Sequence, residues 1–440
     1  MDLNERLSKV KTKKDRANYM QWLLKCLSYS KEKMARYAYN NTKFYKKLYG
    51  NIFEKRNIPF EALPPVKKET VNEASPFDLL SNELKDDVFK YAETTGSTGS
   101  PTPSFYTRKE FKGSVLLSKL TTYSIFLKDV LKKNRRAVCG LACGFTIAGP
   151  SFQQILDSFG FMTINVDART TIAPPHRVAR LLSRYKPSVI AAGETDFLAW
   201  MKIVKELYPR DYDDVVENLE VLMSTAELCS ENRSREIEKE FDIIHIDNYA
   251  CVEGYFSLPC LCGEKHILPI YHTEVLSDDL QISSEYGTGR FVFTNLLRKS
   301  TPFVRYLLDD LVTIYRSKCP YGYTKSIIPH GRYELTVDIK GKRYGTRDFE
   351  NVLFKKYLFG EYNVQVSNDE IKIYAENYLE KEIPIEEIMR DFENKFGLQT
   401  YIEIVPYGTI RDYHEIRKSK PLLRLVDNRI SSTQKIPQYL

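Results

Sequence analysis

The chain has 440 residues, 42% hydrophobic and 28% charged, with 65 basic and 58 acidic residues and a net charge of +7. This composition is typical of a globular protein with two or three domains. The sequence has no apolar run near the roughly 18 residues that a membrane helix needs. The first residues, "MDLNERLSKVKTKKDR", have no apolar core of a secretory signal. Basic and acidic residues are interspersed, whereas a nucleic-acid binder concentrates its charge on one face, so we expect a cytoplasmic protein that binds neither membrane nor nucleic acid.

The predicted elements begin with helix. The stretch "MQWLLKCLSYSKEKMARYAYNNTKFYKKLYG" has apolar residues at helical spacing and ends on Gly50. Between about Arg136 and Tyr249, longer helical stretches separate five short apolar runs: "AVCGLAC", "FMTINV", "SVIAAG", "LEVLMST" and "IIHIDNY". Strands separated by helices predict right-handed βαβ units and a parallel sheet with covered faces.

The C-terminal part of the chain has a different pattern. "ILPIYHTEVL" and "GRFVFTNLL" predict strands of an antiparallel region, "RYELTVDIKGKRYG" predicts a hairpin, and the remainder predicts a small α+β unit. The predicted fold class is therefore α/β. A large N-terminal domain over residues 1–329 would hold parallel βαβ sheets and a smaller antiparallel region, and a small α+β domain would cover residues 330–440.

The segment "TTGSTGSPTP", residues 94–103, is rich in glycine and hydroxyl side chains. Glycines let backbone N–H groups turn toward an anion, and hydroxyls add donors without bulk. It is not a Walker A loop, because the Gly-Lys-Ser/Thr sequence is absent. Taken alone, the segment suits a phosphate-binding loop and a flexible Ser/Gly linker equally.

Read with later landmarks, the sequence resembles the adenylate-forming (AMP-forming) ligases, in the branch of phenylacetate–CoA ligases. "TTGSTGSPT" falls on the family loop TSGTTGKPT, and "ARYAYNNTKFYKKLYG" with "LPPVKKE" is similar to the branch's N-terminal region. "LMSTAEL" and "NYACVEG" resemble the adenine turn and the aromatic-x-x-x-Glu motif. "VRYLLDDL" resembles RYxTGDL, and "HGRYELTVDIKGKRYGTRDFE" and "KSKPLLRLVDNR" resemble the C-terminal motifs.

The resemblance implies ATP and Mg²⁺ as cofactors and assigns residues to them. The loop residues would wrap the β- and γ-phosphates: Thr94, Thr95, Gly96, Ser97, Thr98 and Gly99. The usual loop lysine is replaced by Ser100, so the loop would rely more on Mg²⁺, which Glu253 would hold as a hard oxygen ligand. Tyr249 would flank the adenine or the acyl pocket, with a buried core position as the alternative.

Further residues are assigned by the same resemblance. Thr225, Ala226 and Glu227 follow the strand "LEVLM", at the carboxyl end where α/β sheets bind ligands, and would line the adenine. Asp310 would bind the ribose hydroxyls, with Asp309 as the alternative, and Arg332 would approach the phosphates. The C-terminal domain would be mobile and rotate about a hinge at Glu334 to deliver a catalytic lysine. We favour Lys420 over Lys418.

A metal site is suggested by "CLCGEKH" and "KCPYG". Some members of the phenylacetate branch bind structural zinc through similar stretches, and zinc takes four tetrahedral S or N ligands. Cys260, Cys262, His266 and Cys319 would make a complete Cys₃His set. Free thiols at a decayed site are the alternative, and His272 is a substitute ligand.

The function implied by the resemblance is an ATP-dependent carboxylic acid ligase. A carboxylate attacks the α-phosphorus of ATP, giving an acyl-adenylate and pyrophosphate, and a thiol then takes the acyl group. The acceptor is open between coenzyme A and the phosphopantetheine arm of a carrier protein, and the acid, which the branch would make aryl, is open too. The alternative is a non-catalytic nucleotide-binding scaffold of the same fold. Whether two copies associate as a homodimer is left open.

Overall fold

The computed structural model describes residues 28–53, 59–94, 101–120, 123–260, 262–416 and 423–429. The chain forms two compact units. Unit one comprises Met1–Asp129, Cys143–Phe159 and Asn248–Ile328, and unit two comprises Val130–Ala142, Gly160–Asp247 and Pro329–Leu440. Within the described ranges, every helix is too short or too polar to cross a membrane.

The helices follow in chain order. They are α1 (Lys31–Asn41), α2 (Lys43–Phe53), α3 (Lys68–Asn72), α4 (Pro76–Leu79), α5 (Arg108–Leu120), α6 (Tyr123–Lys133), α7 (Ala148–Phe159), α8 (Pro175–Tyr185), α9 (Glu194–Leu207), α10 (Pro209–Asn218), α11 (Glu231–Phe241), α12 (Thr346–Leu353) and α13 (Ile385–Phe396). Single 3₁₀ turns lie at Phe60–Ala62, Lys85–Asp87 and Tyr333–Leu335.

The strands have two to eleven residues. They are β1 (Val88–Glu93), β2 (Pro103–Thr107), β3 (Arg136–Cys139), β4 (Met162–Asn165), β5 (Val189–Ala191), β6 (Val221–Ser224), β7 (Ile244–Asp247), β8 (Tyr249–Ala250), β9 (Tyr255–Pro259), β10 (Lys265–Ile267), β11 (Tyr271–Leu276), β12 (Ser283–Ser284), β13 (Gly287–Asn295), β14 (Tyr306–Arg316), β15 (Lys325–Arg332), β16 (Val337–Ile339), β17 (Lys342–Tyr344), β18 (Tyr362–Val366), β19 (Glu370–Asn377), β20 (Gln399–Pro406) and β21 (Leu425–Asp427).

Unit one is organised by an eight-stranded sheet in the order β12-β11-β13-β14-β15-β10-β9-β8. Its long strands β11, β13 and β14 pair antiparallel, and most of their residues are buried at successive positions, so both faces of this part of the sheet are largely covered. Aromatic rings fill its core: Phe256, Phe291, Phe293, Phe303 and Tyr306 are fully buried, and Phe256 and Phe293 lie 4.7 Å apart between ring centroids. The hairpin β1–β2 belongs to the same unit.

Unit two contains the parallel sheet that the sequence predicts. Its order is β4-β3-β5-β6-β7, every adjacent pair is parallel, and its strands coincide with the five apolar runs. The carboxyl ends of β5 and β6 carry Gly193 and Thr225, the edge at which open α/β sheets bind ligands.

The C-terminal segment folds as a four-stranded mixed sheet, β20-β19-β18-β21, with α12 and α13. The predicted hairpin is β16–β17. One continuous hydrophobic core joins this segment to the parallel sheet within unit two, from Trp200 and Phe241 to Phe349 and Tyr362. The predicted mobility of residues 330–440, and their separation as a domain, stay predictions.

Two predictions about elements were wrong. The predicted helix does not end at Gly50. Helix α2 continues to Phe53, whose ring stacks on that of Tyr39 at a centroid distance of 4.7 Å. Gly50 does not have the positive φ with which a glycine commonly ends a helix. The antiparallel region is the larger sheet, with eight strands against five. The sequence pattern underestimated it because β8, β10 and β12 have only two or three residues each and are individually weak in that pattern.

Candidate active site

The glycine- and threonine-rich segment connects two paired strands. β1 and β2 are antiparallel, with Glu93 opposite Pro103. The Thr94 amide donates to the Thr102 carbonyl at 3.2 Å, and the Thr102 amide donates to Thr94 Oγ1 at 2.9 Å. These two bonds close the base of the loop. The predicted phosphate-binding residues Thr95, Gly96, Ser97, Thr98 and Gly99, with Ser100, lie outside the described residues.

A chain of hydroxyl groups connects this loop base to Glu253. Thr102 Oγ1 lies 3.3 Å from the Tyr306 hydroxyl, and that hydroxyl donates to Glu253 Oε1 at 3.2 Å. Thr102 and Tyr306 are fully buried, and Glu253 is 2% exposed. The structure therefore brings together the loop base and the predicted magnesium ligand. Sequence reasoning did not single out Thr102 or Tyr306, although Tyr306 stands in the quoted stretch "VRYLLDDL".

Glu253 is presented by a tight turn. The Cys251 amide donates to the Gly254 carbonyl at 2.8 Å, and a Cβ at Gly254 would come within 2.6 Å of the Phe256 ring, so the turn has room only for glycine there. The buried Arg298 donates from Nη2 to the Glu253 carbonyl at 2.9 Å. Burial and the nearby Glu253 charge raise the pKa of the Cys251 thiol well above its usual range.

The second carboxylate oxygen of this residue fits a cation. Glu253 Oε2 is buried and accepts no hydrogen bond from any described residue. A buried carboxylate oxygen without a partner is costly, and a hard divalent cation is the group that carboxylate oxygens bind best. The geometry therefore suits Mg²⁺ at Oε2 of Glu253, with Oε1 held by Tyr306.

The two adjacent aspartates of β14 have different partners. Asp310 is 9% exposed, and its Oδ2 accepts from the Tyr249 hydroxyl at 2.6 Å. Asp309 accepts from Arg290 Nε at 2.9 Å through its Oδ1. The structure thus brings Tyr249 and Asp310 together, and it places Asp309 in an ion pair. The Tyr249 ring also contacts the rings of Phe256 and Phe291, so the ring packs in the core while the hydroxyl binds Asp310.

In unit two, the turn after β6 contains Thr225, Ala226 and Glu227. Ala226 has a φ of 73°, a left-handed conformation that a residue with a side chain rarely adopts. Glu227 Oε2 accepts from Thr195 Oγ1 at 2.7 Å and lies 3.5 Å from Arg424 Nη2. The Glu227 side chain therefore braces the turn.

The remaining predicted residues are less informative. Arg332 ends β15 in unit two, and its side chain is exposed. Glu334 lies in the exposed 3₁₀ turn that follows. Lys418 and Lys420 lie outside the described residues, and the described chain resumes at Leu423.

The four predicted zinc ligands lie together in unit one. The ligand atoms of Cys260, Cys262, His266 and Cys319 are all within 4.8 Å of one another. Cys260 Sγ and Cys319 Sγ are 3.8 Å apart, and Cys262 Sγ is 3.1 Å from His266 Nε2. Two sulfurs bonded at about 2.3 Å to one tetrahedral zinc are separated by about 3.8 Å, so the donor set fits Zn²⁺.

His266 is oriented by a hydrogen bond at Nδ1, the ring nitrogen that does not face the cysteines. Its Nδ1 lies 2.8 Å from Ser326 Oγ, and Ser326 in turn donates to Glu264 at 2.6 Å, which directs Nε2 toward the cysteines. The ring stacks on Tyr323 at 4.6 Å. Burial lowers the pKa of His266 to about 4, which keeps the imidazole neutral, the form that binds metal. His272 packs instead against Phe60, and it is not part of the group.

A second buried group in unit two was missed by sequence reasoning. His245 lies 2.7 Å from Ser224 Oγ, 2.8 Å from Ser234 Oγ and 3.3 Å from Glu194 Oε1. Burial opposes ionisation of Glu194, but the hydrogen bond and charge of His245 lower its pKa to about 2. Cys229 lies nearby with its thiol pKa raised by burial and by Glu194. We interpret the group as a buried polar cluster beside the turn after β6.

Comparisons with known proteins agree on the class of fold. No family model matches the sequence. The chain is similar to the 2-hydroxyisobutyryl-CoA ligase in complex with R3-HIB-AMP, with a TM-score of 0.70 and 17% identity, covering 98% of this chain and 91% of that one. The GH3.15 acyl acid amido synthetase gives a TM-score of 0.60 at 12% identity, covering 91% of both chains. The anthranilate CoA ligase AuaEII gives 0.54 at 14% identity, covering 78% of this chain and 66% of that one.

The chain therefore shares its fold with two CoA ligases and an acyl acid amido synthetase. Its sequence is 22% identical over 309 residues to a phenylacetate-coenzyme A ligase of Thermus thermophilus. The matched region is 67% of this chain and spans 66% of the length of that relative. Both the fold and the sequence likeness therefore agree with the resemblance read from the motifs.

Proposed function

We propose that this protein is an AMP-forming ligase that activates a carboxylic acid with ATP and then transfers the acyl group to a thiol. The observation that carries the proposal is the hydroxyl chain from the base of the Thr/Gly loop to the buried Glu253 carboxylate, whose Oε2 accepts no hydrogen bond from a described residue. Polyphosphate binding and cation binding would then be adjacent, as activation by ATP requires. The fold and the likeness to a phenylacetate-coenzyme A ligase support the same class.

The first half-reaction joins two anions, so the chain must hold the phosphates and the attacking carboxylate in line. Glu253 would hold Mg²⁺ through Oε2, and the bound ion would neutralise phosphate charge. The amides and hydroxyls of Thr94 to Gly99 would hold the β- and γ-phosphates. Asp310, positioned by Tyr249, would accept the ribose hydroxyls. The adenine contact of Thr225 to Glu227 and the phosphate contact of Arg332 belong to the proposal on motif grounds.

The second half-reaction would transfer the acyl group from the acyl-adenylate to a thiol. Lys420 would orient the carboxylate in the first step, and a mobile segment over residues 330–440 would then open the path for the thiol. The acceptor is coenzyme A or the phosphopantetheine arm of a carrier protein, since both end in the same thiol. The acid we favour is aryl, the class that the resemblance implies.

We also propose a structural zinc ion in unit one, held by Cys260, Cys262, His266 and Cys319. The ligands come from the β9–β10 region and from the loop after β14, 59 residues apart at Cys260 and Cys319, so the ion would join them. Four protein ligands close the coordination sphere, which is typical of structural and not of catalytic zinc.

ATP–pyrophosphate exchange over aryl, arylacetic, fatty and amino acids tests the proposed function. We expect exchange with one class, lost in Lys420→Ala and retained in the matched control Lys418→Ala. The reverse pattern would move the role to Lys418. No exchange with any acid would overturn the ligase in favour of a nucleotide-binding scaffold. With the active acid, thioester formation measured with coenzyme A and with a phosphopantetheinylated carrier protein would identify the acceptor.

A further inference from the structure

We infer that Tyr306 is a positioning residue: its hydroxyl fixes the Glu253 carboxylate relative to the base of the phosphate loop, so that Oε2 is presented to the cation. The inference deepens the proposed function and rests on it. It concerns a residue whose hydroxyl meets Thr102 Oγ1 at 3.3 Å and Glu253 Oε1 at 3.2 Å.

The location of the hydroxyl is fixed by packing. Tyr306 is fully buried at the start of β14, and its ring contacts those of Phe293 and Phe303 at centroid distances of 5.7 and 4.9 Å. A side chain held on its faces by other rings has little rotational freedom, so its polar tip is a fixed reference point for the groups around it. Tyr306 can therefore impose a position on the Glu253 carboxylate.

The protons of the chain have a defined direction. An ionised carboxylate only accepts, so the single Tyr306 proton goes to Glu253 Oε1. Thr102 then donates to the Tyr306 oxygen, with Asn72 Oδ1 at 3.4 Å as its other acceptor within reach. Hydrogen bonds linked in this way strengthen one another, and they often shorten when substrate binds.

The two carboxylate oxygens of Glu253 therefore have different roles. Oε1 is occupied by Tyr306, and Oε2, buried without a hydrogen-bond partner among the described residues, is left for the ion. Without the hydroxyl, both oxygens would be free to rotate, and the link to Thr102 and the loop base would be lost. Removing a group that orients a metal ligand typically lowers metal affinity about 10- to 100-fold.

The experiment is the Mg²⁺ dependence of ATP-analogue binding, measured by calorimetry with a non-hydrolysable β,γ-imido analogue. Tyr306→Phe removes only the hydroxyl and keeps the ring. We expect it to raise the Mg²⁺ concentration for half-maximal binding about 10- to 100-fold. The matched control is Tyr45→Phe in the same unit, a buried tyrosine whose hydroxyl accepts from the Val304 amide at 2.9 Å, and it should leave that concentration unchanged.

Coupling along the chain is tested with Thr102→Val. Alone, it should shift the Mg²⁺ dependence in the same direction but less, and combined with Tyr306→Phe it should add nothing, because the chain is already broken. An unchanged Mg²⁺ dependence in Tyr306→Phe, with a loss of thermal stability like that of Tyr45→Phe, would overturn the inference and leave Tyr306 a core residue.

The outcome for the wild type separates the two proposals. If the wild type binds the Mg²⁺–nucleotide complex and Tyr306→Phe shifts the Mg²⁺ dependence, but exchange is absent with every acid, the positioning role stands and the ligase does not. If the wild type does not bind the nucleotide at any Mg²⁺ concentration, both are overturned.

Discussion

The Tyr249 hydroxyl donates to Oδ2 of Asp310 across 2.6 Å, between the short strand β8 and the long strand β14. The next residue toward the N-terminus, Asp309, has a φ of 68° and is paired with Arg290. Two consecutive carboxylates thus have different roles available to them. Asp309 lies in an ion pair with Arg290, whereas Asp310 accepts a hydrogen bond from the Tyr249 hydroxyl.

This difference predicts which aspartate binds the ribose. Asp310→Asn should weaken ATP binding about 10- to 100-fold, since hydrogen bonds to a charged group contribute roughly 1.5–3 kcal/mol. Asp309→Asn is the matched control and should change ATP affinity less than about twofold, because it removes only one partner of a part-exposed ion pair. Calorimetric titration with ATP measures both, and the reverse ranking would assign the ribose to Asp309.

Glu253→Gln should separate activity from stability. The amide cannot serve as an anionic Mg²⁺ ligand, so pyrophosphate exchange should fall by at least about 100-fold. The same change removes a buried charge whose Oε2 accepts no hydrogen bond from a described residue, so in EDTA the variant should melt at or above the wild-type temperature. A variant that is inactive and clearly less stable in EDTA would show that the carboxylate stabilises the fold and would contradict the cation role.

Zinc content tests the Cys₃His group. Protein purified without chelators should contain about one zinc per chain, and Cys319→Ser should lose the metal and melt at a lower temperature. Cys229→Ser is the control, a buried thiol in unit two, and it should keep the zinc. Zinc that is lost in Cys229→Ser and kept in Cys319→Ser would move the ion to the group around Glu194 and His245.

Arg424 is predicted to be a major contributor to the stability of unit two. Its Nε donates to Glu361 at 2.7 Å and its Nη2 to Thr195 at 2.8 Å, all in the interior. Arg424→Met would leave Glu361 buried without its counter-charge, at a cost of about 3–5 kcal/mol. Lys133→Ala removes an exposed pair with Glu220 and should cost less than about 1 kcal/mol. Urea unfolding midpoints compare the two variants, and equal shifts would contradict the prediction.

Glu376 should make the free energy of unfolding fall as the pH rises, the reverse of the dependence that an ion-paired carboxylate gives. Burial raises its pKa to about 7, against the hydrogen bonds donated by the backbone of Glu361, Arg411 and Ile410. Because the folded pKa exceeds the unfolded value of 4.5, the folded state binds the proton more tightly, and this contribution is lost as pH rises from about 4.5 to 7. The amount is about 3 kcal/mol for a residue that is 1% exposed.

Glu376→Gln is the matched variant for this prediction, since it cannot titrate. Unfolding free energies measured by urea at pH 5, 6, 7 and 8 should show a smaller fall with rising pH in Glu376→Gln than in the wild type. Parallel curves for the two proteins would mean that Glu376 titrates at the same pH whether folded or unfolded.

Much of the parallel sheet could be predicted from the sequence. β3 to β7 are apolar runs separated by helical stretches, and the period of each run depends on neighbours within about ten residues. The size of the antiparallel sheet could not be predicted from the sequence. Strands β8, β10 and β12 have only two or three residues each, and they form strands only by pairing with distant partners. Gly50 was misjudged for a related reason: whether a glycine ends a helix depends on what packs beyond it, here Phe53 on Tyr39.

The same division holds at the site. The Thr/Gly loop, Glu253, Asp310 and the zinc ligands are recognisable because their chemistry requires particular residue types at particular spacings. Tyr306, Thr102, Arg298 and Arg424 carry no such signature, since a buried tyrosine or arginine is defined by the groups it meets. Residue type and spacing are local properties of the chain and were determined by the sequence alone. Which oxygen of Glu253 is held, and which aspartate lies in an ion pair, was decided only when the tertiary structure brought together residues 53 to 204 positions apart or 19 positions apart, because such contacts depend on the whole fold.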